Sequence, residues 1–244
     1  MIRGAIFDLG STLIHFEGDW DQVWRASLEE LEPALREAGA RSIPAGLGDE
    51  FGRRMRAYRQ ERLDDHRERT TETILLETLA DLGGSEPDPG IIRAALERVY
   101  ARSERCWKAV PHLIPTLIKL RQSGLRLALL SNAGDEANVQ RLIDRAGIRE
   151  FFDPILISAA IGIRKPASQP FMQILARWRL APEQVVMIGD RLDQDIRGAQ
   201  QAGMHQLWLQ QYADPGQERL LEPELTAASI DQVPAQIERL NAKG

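Results

Sequence analysis

The chain has 244 residues, 43% of them apolar and 27% charged, which is long for one compact domain and short for two large ones. Its 31 basic and 36 acidic residues leave a net charge of -5, which argues against nucleic acid as the main partner. No apolar run approaches the roughly 20 residues of a membrane helix, and Cys106, the only cysteine, excludes an intrachain disulfide and suits a reducing cytoplasm.

The N-terminus enters strand pattern at once, so no signal peptide is expected. Ala5-Ile6-Phe7 reads as a short buried strand ending on Asp8, with Gly10, Ser11 and Thr12 following. Small residues there leave backbone N–H groups free to face an anion. From about Asp19 to Trp107 the pattern is helical. Trp20, Val23, Trp24, Leu28, Leu31 and Leu35 recur three and four apart, which predicts one amphipathic helix stopped by Gly39. Phe51, Met55, Tyr58 and Leu63 predict a second helix, whose many arginines read as a solvated face. Thr70–Leu82 predicts a third, with Ile74, Leu75, Leu79 and Leu82 inward. Pro89–Trp107 predicts a fourth. The Trp and Met residues of this block read as core.

From Pro111 helices and strands alternate. Strands are expected over Leu125–Leu130, Pro154–Ser158, Gln184–Ile188 and His205–Leu209. Helices are expected over Pro111–Gln122, Glu136–Ala146, Gln169–Trp178 and Asp193–Ala202. Tyr212 to Pro223 reads as loop, followed by a short strand at Leu225–Ala228 and a closing helix at Gln232–Leu240. Such alternation predicts an α/β fold with a doubly wound parallel sheet and right-handed crossovers. There is no internal repeat and no low-complexity tract. The helical stretch reads as an insertion: residues 1–15 and 109–244 form the α/β core, and residues 16–108 a separate helical unit.

In such a sheet ligands bind at the carboxyl ends of the strands. Asp8, Ser131, Lys165 and Asp190 all lie at or just past those ends. Singly each has a bland reading as a turn, a helix cap or an exposed loop residue. Together they make a phosphate site with a carboxylate nucleophile, a hydroxyl, an ammonium and a second carboxylate. Asp190, Asp193 and Asp195 make the last loop strongly anionic, a charge that a hard cation such as Mg²⁺ would offset.

These residues resemble the haloacid dehalogenase superfamily over nearly the whole chain. Asp8 and Thr12 match its first motif, and Ser131 in Leu129-Leu130-Ser131-Asn132 its second. Lys165-Pro166 matches the third, and Gly189-Asp190 with Asp195 the fourth. The resemblance implies a Rossmann-like core and a helical cap, with hinges near Ile14–Gly18 and Cys106–Pro111. It implies attack on phosphorus by Asp8 and Mg²⁺ held by Asp8, the Gly10 carbonyl and Asp190. Ser131, Lys165 and the Asn132 amide would hold the transferring group. Thr12 would support the site, and Asp195, with Asp193 as rival, would orient Lys165 or a metal-bound water.

One position departs from the family's phosphatases, which carry a second Asp where this chain has Gly10. That residue supplies general acid–base help, typically worth about 10²–10⁴-fold. The expected activity is Mg²⁺-dependent hydrolysis of a small phosphorylated metabolite by a cytoplasmic monomer or homodimer, with no nucleic acid or membrane partner. Two alternatives stand beside it. One is a 2-haloacid dehalogenase, whose usual motif has an aromatic residue at this position and Gly at the next. The other is a degenerate family member that binds phosphate ligands without turnover. The absence of Gly-x-Gly-x-x-Gly after the first strand argues against a dehydrogenase.

Overall fold

In the computed structural model, which describes residues 1–61, 65–216 and 221–243, the first apolar run forms β1 (Gly4–Phe7) with all four residues buried. The chain continues through β2 (Ile14–Phe16), α1 (Trp20–Leu28), α2 (Leu31–Glu37), α3 (Leu47–Glu61), α4 (Thr71–Asp81) and α5 (Pro89–Glu104), and returns through β3 (Trp107–Ala109). Then α6 (Leu113–Gln122), β4 (Arg126–Ser131), α7 (Glu136–Arg145), β5 (Ile155–Ile157), α8 (Ser158–Ile161) and α9 (Ser168–Trp178) follow. Last come β6 (Val185–Gly189), α10 (Arg197–Gln201), β7 (His205–Leu209), β8 (Leu225–Ala227) and α11 (Val233–Lys243). Among the described residues no helix is long and apolar enough to cross a membrane.

The sheet is parallel throughout, in the order β5-β4-β1-β6-β7-β8. Strand β1 therefore has β4 on one side and β6 on the other, and the winding reverses there. Strand periodicity divides the central strands between two apolar layers. Phe7, Leu129 and Ile188 point to one face, under α6, α7 and α11. Ile6, Leu130 and Met187 point to the other, under α9 and α10. The helical block has its own core, built on residues such as Leu35, Phe51, Leu75 and Leu96.

Several local expectations are corrected. The first predicted helix is two, α1 and α2, broken at Glu29 and Glu30. Pro33 has no N–H for the Glu29 carbonyl and its ring would crowd that carbonyl in a continuous helix. Leu82 is exposed rather than inward, because α4 ends before it. Trp107 belongs to a strand: β2 and β3 pair antiparallel, Ile14 opposite Ala109 and Phe16 opposite Trp107. Three-residue strands are too short to show alternation. The helix expected over Asp193–Ala202 begins as one turn of π-helix, Leu192–Ile196, before α10. Leu63, expected in the second helix, lies outside the described residues, as does 217–220 of the expected loop; the rest of that loop carries no regular element.

Candidate active site

The reversal beside β1 collects the polar ends of three strands. Asp8 and Asp190 are the residues just past β1 and β6, and Ser131 is the last residue of β4. The Asp8 N–H donates to the Ile188 carbonyl at 3.0 Å, which fixes its backbone to the neighbouring strand. Lys165 arrives on the loop between α8 and α9 and is 1% exposed. Its Nζ donates to Asp8 Oδ1 at 2.5 Å and to the Leu130 carbonyl at 2.7 Å, and lies 2.7 Å from Asp195 Oδ1. The first two contacts are hydrogen bonds and the third is an ion pair.

The anionic loop is shaped by its glycine and its π-turn. The Asp195 side chain folds back so far that a Cβ on residue 189 would lie 2.1 Å from its Oδ2, which only glycine permits. The same oxygen accepts the Arg191 N–H at 3.0 Å. Asp193, the rival for the lysine, is instead bound by Arg191 through Nε and Nη2, each at 3.0 Å. Buried Thr12 donates from Oγ1 to Asp190 Oδ1 at 3.3 Å. Asn132 clamps two loops: its Oδ1 accepts the Lys165 N–H at 2.8 Å, and its Nδ2 donates to the Lys165 carbonyl at 3.0 Å and to Gln194 Oε1 at 2.9 Å. Both amide protons expected to face a ligand are thus engaged within the protein.

Charge in this pocket is unbalanced. Asp8, Asp190 and Asp195 bring carboxylate oxygens within 4.8 Å of one another, with one ammonium among them. Burial, then repulsion from Asp8 and Asp195, pushes the Asp190 carboxyl well above its ordinary range. Burial pushes Asp195 up to about 6 even with Lys165 pulling it down. Burial works against the Lys165 charge, but Asp195 and Asp8 outweigh it and hold its pKa up. Carboxyls driven toward protonation in an all-oxygen cluster are the surroundings that a hard divalent cation relieves. The residues present therefore fit Mg²⁺.

A cavity of about 350 Å³ opens on Asp8, Ser131 and Asp190. Its far wall comes from the helical block and includes Trp20, Met55, Tyr58, Arg59 and Glu68, with Trp107 from β3. Trp20, Trp107 and Phe16 meet edge to face. Met55 is part of the helical core and Trp20 packs against it, as read from sequence, and both also line the cavity with Trp107, while Arg59 leaves the solvated face expected for it. Which side of each helix turns inward depends on long-range packing, so no local signal marked these residues. Gly10 has no positive φ, and a Cβ there would meet the Trp107 ring at 3.6 Å, an ordinary contact. Ser11, by contrast, sits at φ 57°.

A family model for haloacid dehalogenase-like hydrolase matches residues 2–203. The chain is 32% identical over 209 residues to a glyceraldehyde 3-phosphate phosphatase of Methanopyrus kandleri, covering 84% of this chain and 82% of that one. It is 33% identical over 160 residues to a phosphoserine phosphatase of Thermus thermophilus, covering 66% and 59%. Among solved structures, a 2-haloacid dehalogenase from Pseudomonas syringae is similar with a TM-score of 0.68 and 25% identity, covering 98% of this chain and 99% of that one.

Proposed function

The chain belongs to the haloacid dehalogenase-like hydrolases, and within that family we propose that it removes phosphate from a small phosphorylated metabolite with Asp8 as nucleophile. It is a hydrolase of the phosphatase type, as its curated relatives are. The observation that carries the reading is the buried cluster of Asp8, Lys165, Asp190 and Asp195 at the end of the cavity.

Lys165 holds one oxygen of Asp8, which leaves the other to attack phosphorus. The bond to the ester oxygen breaks as the Asp8–phosphorus bond forms, and the leaving alkoxide takes its proton from solvent, since residue 10 is glycine. Water then attacks the aspartyl-phosphate, freeing phosphate and regenerating Asp8. Ser131 faces the transferring group from β4, and Asp195 keeps Lys165 charged and in place. Asp8, the Gly10 carbonyl and Asp190 are the groups that would hold Mg²⁺, which supplies neutralisation of charge on the phosphoryl oxygens. Residues 16–108 would act as a cap over the reaction, joined to the core at the β2–β3 ribbon.

A second reading has Asp8 attack carbon in a 2-haloacid. The likeness to a dehalogenase structure and the missing acid at Gly10 favour it; the acidic cluster favours phosphate. A panel of phosphate esters and 2-haloacids, with Mg²⁺ or with chelator, tests both. We expect Mg²⁺-dependent ester turnover that Asp8→Asn abolishes. Haloacid turnover that survives chelation would replace this reading with the second, and ester turnover retained by Asp8→Asn would remove Asp8 from the chemistry.

A further inference from the structure

The guanidinium groups lining the cavity differ in one respect. Arg191 is paired with Asp193 and Asp214, and Arg69 with Glu77. Arg59 lies 5.1 Å from the Trp20 ring centroid and 5.4 Å from that of Trp24, and no carboxylate lies within ion-pair distance of it among the described residues. Burial lowers its pKa against an upward pull from Tyr100 and Asp21, yet an arginine stays charged. A half-buried cation that faces a carboxylate-lined cavity without a partner of its own is suited to an anion brought by a ligand. The two indoles hold the guanidinium carbon near their rings by cation–π attraction, and a guanidinium can bind an anion through two N–H groups at once.

We propose that Arg59 recognises a second anionic group, a carboxylate or a second phosphate, on the alcohol portion of the ester that Asp8 cleaves. The indole wall packs the carbon skeleton between the two charges. The inference rests on the phosphatase reading for which group is cleaved, but the Arg59 contact itself can be read by binding.

The test compares three esters of similar size: glycerol 3-phosphate, 3-phosphoglycerate and propane-1,3-diyl bisphosphate. They are assayed on wild type, Arg59→Gln and Arg59→Lys. The quantity read is the ratio of kcat/KM for each ester bearing a second anionic group to that for glycerol 3-phosphate, because this ratio does not depend on the fraction of enzyme folded. We expect a preference of about 10-fold or more in wild type, carried mainly by KM, its loss in Arg59→Gln and partial return in Arg59→Lys. The arm with the larger preference identifies the anion. Ratios equal in wild type and Arg59→Gln overturn the proposal. If wild type cleaves none of the esters, the phosphatase reading fails separately, and Arg59 is judged by thermal protection. Phosphonoacetate should then protect wild type more than methylphosphonate does, and Arg59→Gln should lose that difference. Equal protection by the two compounds in wild type overturns the proposal as well.

Discussion

Lys165 sits where removing one side chain would unbalance three others. Its ammonium answers Asp8 and Asp195 directly, in a pocket that water scarcely reaches. Lys165→Ala should lower kcat/KM by at least about 10²-fold, in line with loss of one preorganised charge stabiliser. It should also destabilise the fold by about 3 kcal/mol, since buried carboxylates would be left without their cation. Kinetics and chemical denaturation measure the two effects; a kinetic loss under threefold would place the lysine outside the reaction. Gly10 makes the opposite test. Its backbone has no positive φ, and the space for a Cβ stops at ordinary contact with Trp107. Gly10→Asp should therefore fold and add a proton donor. Alkyl phosphate hydrolysis should rise by about 10-fold or more, with little change for p-nitrophenyl phosphate, whose leaving group needs no proton. Equal change for both esters would mean that another group already supplies the proton. The residues at fixed offsets from strand ends, Asp8, Ser131 and Asp190, were legible in the sequence because a parallel sheet brings such ends together. The rotation of helices around a cavity is not written in local spacing, so Arg59 and Trp107 were not legible.

At the scale of elements, the stretch from His66 to Thr71 ties the helical block to the loop that carries Lys165. Two backbone bonds do this, Arg164 N–H to the His66 carbonyl at 2.9 Å and Glu68 N–H to the Gly162 carbonyl at 3.0 Å, and a third, Thr71 N–H to the Gly134 carbonyl at 2.8 Å, ties the stretch to the loop between β4 and α7. Glu68 is the buried pin of this strap. Its carboxylate accepts from Ser158 Oγ at 2.7 Å and from Tyr58 Oη at 2.9 Å, and lies 3.7 Å from Nη1 of the buried Arg164. Glu68→Gln keeps the size and the hydroxyl contacts but leaves Arg164 without a carboxylate. We expect a loss of about 1–3 kcal/mol, seen as a lower urea midpoint, with a smaller loss for Glu68→Gln in an Arg164→Met background. Equal losses in both backgrounds would show that the Arg164 pair contributes nothing. From Pro111 onward the longer elements, such as α6, β4, α7, α9 and β6, were legible because each is long enough to show its period, whereas the four-residue α8 was not. The strap and the β2–β3 ribbon were not, since one bridge or three residues carry no period.

On the scale of the molecule, the apolar cores of the sheet and of the helical block are separate, and the cavity lies between them. Besides the ribbon and the strap, α5 and α7 meet through charges. Arg93 Nη1 lies 2.8 Å from Asp135 Oδ2, and Arg141 Nε lies 2.7 Å from Glu104 Oε1. A polar contact of this kind separates more readily than an apolar one, and a closed cavity must open to release product. Asp135 also caps α7, accepting the Asn138 N–H at 2.8 Å. Asparagine caps a helix equally well, so Asp135→Asn removes the ion pair and spares the helix. We expect the variant to populate an open arrangement, with a higher KM and stronger acrylamide quenching of half-buried Trp20 and Trp107, while buried Trp178 and Trp208 are unaffected. Raising salt to about 0.5 M should move wild type in the same direction and the variant less, because the screened interaction is already missing there. If both proteins keep the same KM and quenching across the salt range, the strap and ribbon alone hold the two parts together, and the charges between α5 and α7 do not control access to Asp8.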